Sequence, residues 1–368
     1  MTFKQNLGCL YFILPFIFSV DNKFGLAFSI LIGSSTLKVK IQNQIILFHK
    51  SRFTTLLYLL GCLTYAYSYL LDSKKTLKIS FDANNEFEIS LQNLTLENCN
   101  LIELLYFGNK YGANFYTKNI PKNQIREKTF KISSIDNKRI ITTQNGISFF
   151  IEYIHPGNTI LETFIQKIHL IDSDINWEQK TVVDIGAECG DTPLYFASLG
   201  ANVFAFEALK KHYDYMLNNL ELNEQLAKKI KAINVAIGKD GPLKFFVSSD
   251  NDDGGTLGAS FVYNNQDSKF QYENVTGLQL SSARKKFQIG HIDLLKMDCK
   301  GCEFFLTDDD LKDIDMIKIE YSIHDKNHKS ENLLKLLNQN GFKTMIYRTS
   351  DSVRVSNFTN GTIFGSRI

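Results

Sequence analysis

Residues 181–192 read TVVDIGAECGDT, and this stretch decides the fold of the second half of the chain. The apolar, β-branched run at its start is typical of a strand that is buried on both faces of a parallel sheet. Gly186 and Gly190 allow the backbone to turn sharply where that strand ends and to approach a ligand closely. The following residues, Thr192 to Leu199, are compatible with a helix that ends at Gly200. The stretch therefore predicts a strand, a tight turn and a helix.

Strand and helix patterns alternate through the rest of this half. Further predicted strands are NVFAFEA (202–208), KAINVAIG (231–238), IDLLKMD (292–298), MIKIEYS (316–322) and KTMIY (343–347), with a closing hairpin through TIFGS (362–366). Such alternation predicts an α/β domain built on a doubly wound, Rossmann-like sheet that is mostly parallel, with an antiparallel last strand. Ligands bind such sheets at the carboxyl ends of the strands.

The first half has a different pattern and predicts an α+β accessory region. LKVKI (37–41) and IILFHK (45–50) predict a β-hairpin, and LENCNLIELLYFGNKYG (96–112) predicts a helix that ends in glycine. LKISF (77–81) and FEISL (87–91) predict a second hairpin. We place the domain boundaries at residues 1–75, 76–172 and 173–368.

Three apolar segments lie within the first 71 residues. Residues 8–20 and 24–32 are each too short to span a bilayer, whereas residues 53–71 are long enough. That last segment contains several Thr and Tyr residues, which favours a buried or half-buried helix over a membrane span. Both interpretations stay open, so we expect a cytoplasmic protein that associates with a membrane if the apolar region serves as an anchor.

Composition excludes some function classes. The net charge of +2 carries no electrostatic signature of nucleic-acid binding, so no nucleic-acid partner is expected. Six scattered cysteines are too few for a disulfide framework in 368 residues and favour a reducing compartment. The pair Cys299 and Cys302 forms a single C-x-x-C, which we interpret as packing rather than as a redox or zinc motif.

Acidic residues accompany the glycines at the end of the first strand. Asp184, Glu188 and Asp191 place negative charge where a dinucleotide phosphate would lie, and the glycine spacing is not G-x-G-x-x-G. Glu207 follows about twenty residues later, at the end of the second strand, where an acid accepts hydrogen bonds from ribose hydroxyls. This pattern fits the cationic nucleoside S-adenosylmethionine, the alternative being ordinary turn residues. The candidate cofactor-binding residues are Asp184, Gly186, Ala187, Glu188, Gly190, Asp191, Glu207 and Ala236.

Several motifs in order resemble the FkbM family of S-adenosylmethionine-dependent methyltransferases. They are VVDIGAECGDTPLYFASLGANVFAFEA (182–208), NVAIG (234–238), LLKMDCKGCEFFL (294–306) and IKIEYSIH (317–324), and TILETFIQKIHLID (159–172) is similar to archaeal-type members. The resemblance implies a class I methyltransferase sheet and methyl transfer to a hydroxyl oxygen of a sugar, glycan or other small molecule. It places Asp184, Gly186, Gly190 and Glu207 on the cofactor pattern.

The resemblance also supplies catalytic candidates and one departure. Asp298 falls on the acid after the fourth strand and Glu303 on the last acid of the family's D-x-E-G-x-E motif, whose middle acid is Lys300 here. A lysine cannot act as an anionic base, so the alternative function is a catalytically impaired binding or scaffold protein. His324, after the fifth strand, is a further candidate base.

Two other features complete these expectations. A metal site formed by His324, His328 and Asp298 is conceivable, but we expect no metal. The polar loop SSDNDDGGTLGAS (248–260) is either a substrate lid or a solvated insertion. As a lid, its Asp252 and Asp253 would favour a polyol or cationic acceptor over an anionic one.

Overall fold

A computed structural model describes residues 3–83, 85–118, 125–169, 174–248, 270–323, 329–347 and 359–367. The chain forms two compact units, of which the first extends to Gln166 and the second begins at Lys167. His324, His328, Asp252, Asp253 and almost all of the predicted lid lie outside the described residues. The domain boundaries at residues 75 and 172 stay predictions.

The first unit combines helices with three small sheets. Its elements are α1 (Phe3–Ile13), α2 (Lys23–Leu31), β1 (Thr36–Ile41), β2 (Gln44–His49), α3 (Phe53–Tyr65), β3 (Ser68–Leu71), β4 (Thr76–Ser80), β5 (Glu86–Ser90), α4 (Leu96–Tyr111), β6 (Asn114–Tyr116), β7 (Thr129–Ile135), β8 (Lys138–Thr143) and β9 (Ser148–Phe150). A 3-10 helix, Leu14–Ser19, follows α1, and a π-helical segment, Gly157–Ile165, ends the unit. The sheets have the orders β1-β2, β3-β4-β5 and β6-β7-β8-β9.

Both predicted hairpins and the glycine-terminated helix are confirmed in this unit. β1 pairs with β2, and β4 pairs with β5, both antiparallel. Thr95 caps α4 by accepting a hydrogen bond from the Asn98 N–H, and Gly112 ends the helix with a left-handed φ of 72°. The apolar segment from Phe53 is a helix only as far as Tyr65, because the chain turns there into the short strand β3.

None of the helices in the described ranges is both long enough and apolar enough to cross a membrane. The helix α3 has 13 residues, of which seven are buried. The helix prediction for the segment is therefore confirmed for α3 and wrong for β3.

The second unit is built on a seven-stranded sheet. Its elements are β10 (Thr181–Ile185), α5 (Asp191–Ser198), β11 (Asn202–Phe206), α6 (Lys210–Glu221), α7 (Glu224–Ala227), β12 (Ile230–Ile233), β13 (Ala236–Ile237), β14 (Gly241–Ser248), β15 (Phe270–Leu278), α8 (Leu280–Phe287), β16 (Ile292–Met297), β17 (Ile314–Ile323), α9 (Ser330–Gln339), β18 (Phe342–Tyr347) and β19 (Thr359–Arg367). The strand order is β12-β11-β10-β16-β17-β19-β18, and β19 runs antiparallel to both of its neighbours. The predicted class I methyltransferase sheet is confirmed.

The order of this sheet fixes where a ligand binds. From β10 the chain first adds strands on one side, β11 and then β12, and later returns to add β16 on the other side. The reversal leaves a crevice at the carboxyl ends of β10 and β16. Buried Val183, Leu295 and Ile317 lie in neighbouring strands and form the centre of the core.

The third predicted strand, KAINVAIG, is divided in the structure. Ile230–Ile233 joins the main sheet as β12, whereas Ala236–Ile237 pairs with β15 in a separate sheet of order β13-β15-β14. Asn234 lies at the break, and its side-chain amide donates to the carbonyl oxygens of Glu207 (2.9 Å) and Ala208 (3.1 Å). The apolar pattern is continuous through this turn, so it did not reveal the break.

Candidate active site

A glycine-containing loop, residues 186–190, follows β10 at the reversal of strand order. Gly186 has a φ of +82°, and a Cβ there would overlap the carbonyl oxygen of Asp298, so only glycine fits. Gly190 has a φ of +87° and lies against Met216. The N–H groups of Gly186 and Ala187 both donate to the Phe206 carbonyl oxygen, at 2.9 and 3.0 Å. The loop is thus held across the ends of three strands, with its backbone at the crevice.

Glu207 comes directly after β11 and is tied to this loop. Its Oε2 accepts the Glu188 N–H at 2.9 Å, and its Oε1 accepts the Leu209 N–H at 2.8 Å. Burial raises the pKa of Glu207 to about 7, although the two backbone N–H donors oppose that rise. The carboxylate is therefore held in one orientation, and each oxygen keeps a lone pair for another donor.

Asp184, the fourth residue of β10, forms an ion pair with a buried lysine that sequence reasoning missed. Asp184 is fully buried, and Lys296 of β16, its register partner, places Nζ 2.9 Å from Asp184 Oδ1. Lys296 Nζ also donates to the Gly186 carbonyl oxygen at 3.3 Å. Burial alone lowers the pKa of Lys296, but Asp184 and Asp298 outweigh that effect and raise it. Burial raises the pKa of Asp184, and Lys296 opposes that rise.

A second lysine lies beside the first in the sheet. Lys318 of β17 is the register partner of Lys296, and only 3% of its surface is exposed. Its Nζ lies 2.7 Å from Nδ1 of buried His169. Burial, followed by the charges of Lys318 and Lys296, lowers the pKa of His169 well below its usual value, so the neutral ring accepts this hydrogen bond. Lysines inside otherwise apolar strands, LLKM and IKIE, were the sequence signal for this row.

Glu320 is the third site residue that sequence reasoning missed. It lies near the carboxyl end of β17, beside Asp298, the residue that follows β16. The negative charge of Asp298, followed by burial, raises the pKa of Glu320 to about 7 against the opposing charges of Lys300, Lys318 and Lys296. Within the described part of the chain, Asp298 Oδ1 has no hydrogen-bond partner although it is buried. The crevice thus contains a carboxylate with an unused acceptor next to a group that titrates near neutral pH.

The two cysteines that follow Asp298 do not have the role that the sequence predicted for them. Cys299 and Cys302 form a disulfide, so the interpretation of this C-x-x-C as simple packing is wrong. Lys300 and Gly301 have φ values of +51° and +128°, and this tight turn brings the two cysteine Cα atoms to 5.5 Å, within disulfide range.

Glu303 lies beneath this turn and is fully buried. Its Oε2 accepts the Gly301 N–H at 2.7 Å and lies 3.6 Å from Cys299 Sγ. The structure therefore places Glu303 under the loop, whereas Asp298 lies in the crevice. A catalytic role for either residue stays a prediction.

The remaining predicted cofactor residues lie around the same loop, with one exception. Ala187 and Asp191 are buried, the latter as the first residue of α5, and Glu188 adopts a left-handed φ of +46°. Ala236 begins β13 in the separate sheet. Their contact with a cofactor stays a prediction.

Among the described residues of this unit, potential metal ligands group in two places, and neither group suits an ion. Cys299 and Cys302 lie close to Glu303, but disulfide sulfurs are not thiolate ligands. His291, Asp293 and Asp315 group at the start of β16 and β17, the sheet edge opposite the crevice. There Lys180 Nζ forms a salt bridge with Asp293 Oδ1, at 2.6 Å, so the Asp293 carboxylate is already paired.

The acceptor groups at the crevice suit the hydroxyl and ammonium groups of an adenosyl sulfonium ligand. Gly186 lets the loop pack closely against the Asp298 backbone, Glu207 offers two oriented acceptors at a strand end, and the buried Oδ1 atom of half-buried Asp298 offers one unused acceptor. Acceptors of this kind suit ribose hydroxyls and an ammonium group, and they repel a pyrophosphate. The fold is that of a class I methyltransferase.

Comparison with known proteins identifies the family of this domain. Residues 184–344 match the methyltransferase FkbM domain, so the chain carries a domain of that family, as predicted. No curated protein sequence matches the chain.

Solved structures with similar folds are distant in sequence. Precorrin-6y C5,15-methyltransferase from Geobacter metallireducens has 10% identity and a TM-score of 0.34, over 59% of this chain and 95% of that one. TYW2 from M. jannaschii, in complex with AdoMet, has 13% identity and a TM-score of 0.35, over 65% and 87%. A SAM-dependent O-methyltransferase from Thermotoga maritima has 13% identity and a TM-score of 0.34, over 62% and 77%.

The Lys296–Asp184 pair generates a stability prediction. Lys296→Met leaves Asp184 buried without its cation, so we expect the free energy of unfolding to fall by about 3–5 kcal/mol. Adding Asp184→Asn removes the unpaired charge and should restore at least half of that loss. Urea unfolding of the three proteins measures both effects, and a single variant within about 1 kcal/mol of the parent would contradict the pairing.

The disulfide generates a chemical prediction. Four cysteines form no disulfide, Cys9, Cys62, Cys99 and Cys189, so iodoacetamide should label four thiols in the unfolded, unreduced protein. After reduction with dithiothreitol the count should rise to all six cysteines. Intact-mass measurement gives both counts, and a Cys299→Ser/Cys302→Ser variant should give four under either condition. Six labelled thiols without reduction would refute the disulfide.

Proposed function

We propose that this protein binds S-adenosylmethionine at the crevice beside residues 186–190 and transfers its methyl group to a hydroxyl oxygen. The observation that carries the proposal is the convergence of the Gly186 loop, Glu207 and Asp298 at the point where strand order reverses. The FkbM domain supports methyl transfer as the reaction class. When bound, S-adenosylmethionine supplies an electrophilic methyl group on a sulfonium.

Glu207, Asp298 and Lys296 have different roles in binding the cofactor. Glu207 is oriented to accept hydrogen bonds from ribose hydroxyls, since backbone N–H groups hold both of its oxygens in place. Asp298 Oδ1, after β16, is a buried acceptor that has no hydrogen-bond partner in the part of the chain that is described. Lys296 holds Asp184 and the Gly186 carbonyl together and so fixes the shape of the loop. The site is thus organised before the ligand arrives.

Glu320 is our candidate general base for the acceptor hydroxyl. A hydroxyl is a weak nucleophile until its proton is removed, and the best base titrates near the working pH. The pKa of Glu320 is about 7 because Asp298 and burial disfavour its ionised form. The neighbouring Lys300 and Lys318 act in the opposite direction. A neutral or polyol acceptor, such as a sugar, glycan or other small hydroxylated molecule, suits a site of this mixed charge.

The alternative is a binding or scaffold protein that is catalytically impaired by Lys300. Lys300 replaces a carboxylate, yet Glu320 offers another carboxylate in the same crevice and is near enough to Lys300 for their charges to interact. A candidate base, Glu320, is therefore still present although Lys300 replaces the middle acid of the family motif. We expect turnover to persist.

The raised pKa of Glu207 generates a pH prediction for cofactor binding. Hydrogen bonds from ribose hydroxyls favour the ionised carboxylate, whereas the unliganded protein holds it half protonated at about pH 7. Affinity for S-adenosylmethionine should therefore rise between about pH 6 and pH 8 and then level off, with proton release on binding. Calorimetry in buffers of different ionisation enthalpy measures both quantities.

Glu207→Gln is the control for that experiment. It should weaken binding and remove the rise with pH, because an amide has no titrating proton in this range. A parent protein whose affinity is constant across the range contradicts the role of Glu207. If the parent protein fails to bind S-adenosylmethionine at every pH tested, the whole proposal is contradicted.

The role of Glu320 is tested by transfer of labelled methyl groups. Glu320→Gln should lower the rate of label incorporation from S-adenosylmethionine into a cell extract by about 10²–10⁴-fold while cofactor affinity stays the same, since a base acts on the acceptor. Lys300→Glu is the comparison and should keep the parent's activity within about tenfold. A parent that binds cofactor without transferring label favours the impaired alternative.

A further inference from the structure

The first helix and the 3-10 helix that follows it expose a stripe of large apolar side chains. Leu7 and Tyr11 are four residues apart in α1, which places them on one helical face, and exposed Leu14 and Phe18 follow in the 3-10 helix. Tyr11 is 73% exposed and Phe18 is 75% exposed. The opposite face packs inward through buried Ile13 and other residues. The exposed stripe is thus a separate surface, distinct from the core of this unit.

The next helix, α2, repeats the arrangement. Phe24 is 83% exposed, and Phe28 and Ile32 are each 63% exposed, at spacings of four residues. Leu26 and Ile30 are buried on the other side. Three large apolar side chains in one exposed row are unusual for a protein that faces only water.

The two stripes meet at a lysine. Lys23 Nζ lies 5.1 Å from the centroid of the Phe18 ring and 5.9 Å from that of the Phe24 ring. The ammonium therefore lies between the stripes, with aromatic rings on both sides. We call these seven apolar residues with Lys23 the apolar face.

The charge of the surrounding chain indicates what covers this face. The first 71 residues contain six basic residues, namely Lys4, Lys23, Lys38, Lys40, Lys50 and Arg52. Asp21 is the one acid among them, and its carboxylate accepts the Asn43 N–H at 3.0 Å. Exposed aromatic residues with a strong excess of basic charge match a lipid surface with anionic head groups.

We propose that the apolar face lies in the interface of an anionic bilayer and holds the protein on the membrane surface. The helices would lie in the plane of the membrane, since none in the described ranges can cross it. Phe and Tyr rings would enter the acyl boundary while Lys23 reaches the head groups. A symmetric pairing of two copies through this face would bring two basic regions together, which disfavours a dimer as its occupant.

Vesicle co-sedimentation of the full chain tests the proposal. The parent should bind vesicles of phosphatidylcholine mixed with phosphatidylserine more tightly than vesicles of phosphatidylcholine alone, and salt should weaken binding. Phe24→Ser/Phe28→Ser should reduce binding to the mixed vesicles by at least about tenfold, because it removes two inserted rings. Lys23→Gln should reduce binding about fivefold, and only on the anionic vesicles.

A matched control comes from the second unit. Tyr272 is 55% exposed, with Lys244 Nζ 4.5 Å from its ring centroid, so Tyr272→Ser/Lys244→Gln removes a similar aromatic–lysine pair. It should leave vesicle binding unchanged. The face variants change exposed side chains, so their thermal melting should match the parent.

Three results would overturn the proposal. They are no parental binding to mixed vesicles, equal binding by the parent and the Phe24/Phe28 variant, and an equal loss in the Tyr272/Lys244 control. Size-exclusion chromatography with light scattering tests whether a second copy of the chain binds this face instead. A dimer that Phe24→Ser/Phe28→Ser converts to a monomer would assign the face to a second copy.

Discussion

The buried ion pair between Asp184 and Lys296 is the interaction on which the rest of the site depends. It joins β10 to β16 across the place where strand order reverses, and Lys296 also donates to the carbonyl of Gly186, the first residue of the glycine loop. A charge pair in a sheet core costs desolvation energy, which only good geometry and further hydrogen bonds offset. Its position between the core and the crevice explains why β16, whose other buried residues are apolar, contains a lysine. The core below it is apolar, and the proposed binding site lies above it, at the carboxyl ends of the strands.

Charge continues from this pair toward the crevice. Lys318 is the register neighbour of Lys296 and contacts neutral His169, while Asp298 lies next to Glu320 and raises its pKa. The two lysines thus lie within the sheet, whereas Glu207, Asp298 and Glu320 lie toward the carboxyl ends of the strands. This separation gives two acids, Glu207 and Glu320, that titrate near pH 7, one beside the glycine loop and the other beside the proposed acceptor position.

Much of this arrangement was predictable from the amino-acid sequence, and the remainder depended on how neighbouring strands pair and how the backbone turns locally. Glycines and acids that end consecutive strands meet at one sheet edge whatever the details of packing, so the loop at Gly186 and the place of Glu207 followed from order alone. Lys296 and Lys318 were missed because a lysine in an apolar strand is ambiguous until its cross-strand partner is known. The break at Asn234 and the Cys299–Cys302 disulfide were missed because each depends on local backbone geometry that hydrophobic patterning does not encode. His324 lies outside the described residues, so its predicted role stays a prediction.

The proposed function depends on Glu207 and the Gly186 loop receiving the nucleoside of S-adenosylmethionine. A crystal structure of the full chain grown with S-adenosylhomocysteine tests this most directly, because that product keeps the adenosine and lacks only the transferred methyl group. We expect both ribose hydroxyls within hydrogen-bond distance of the Glu207 carboxylate, with the amino-acid portion beside the glycine loop and Asp298. A ligand bound elsewhere in the chain, or one in this crevice whose ribose makes no contact with Glu207, would contradict it.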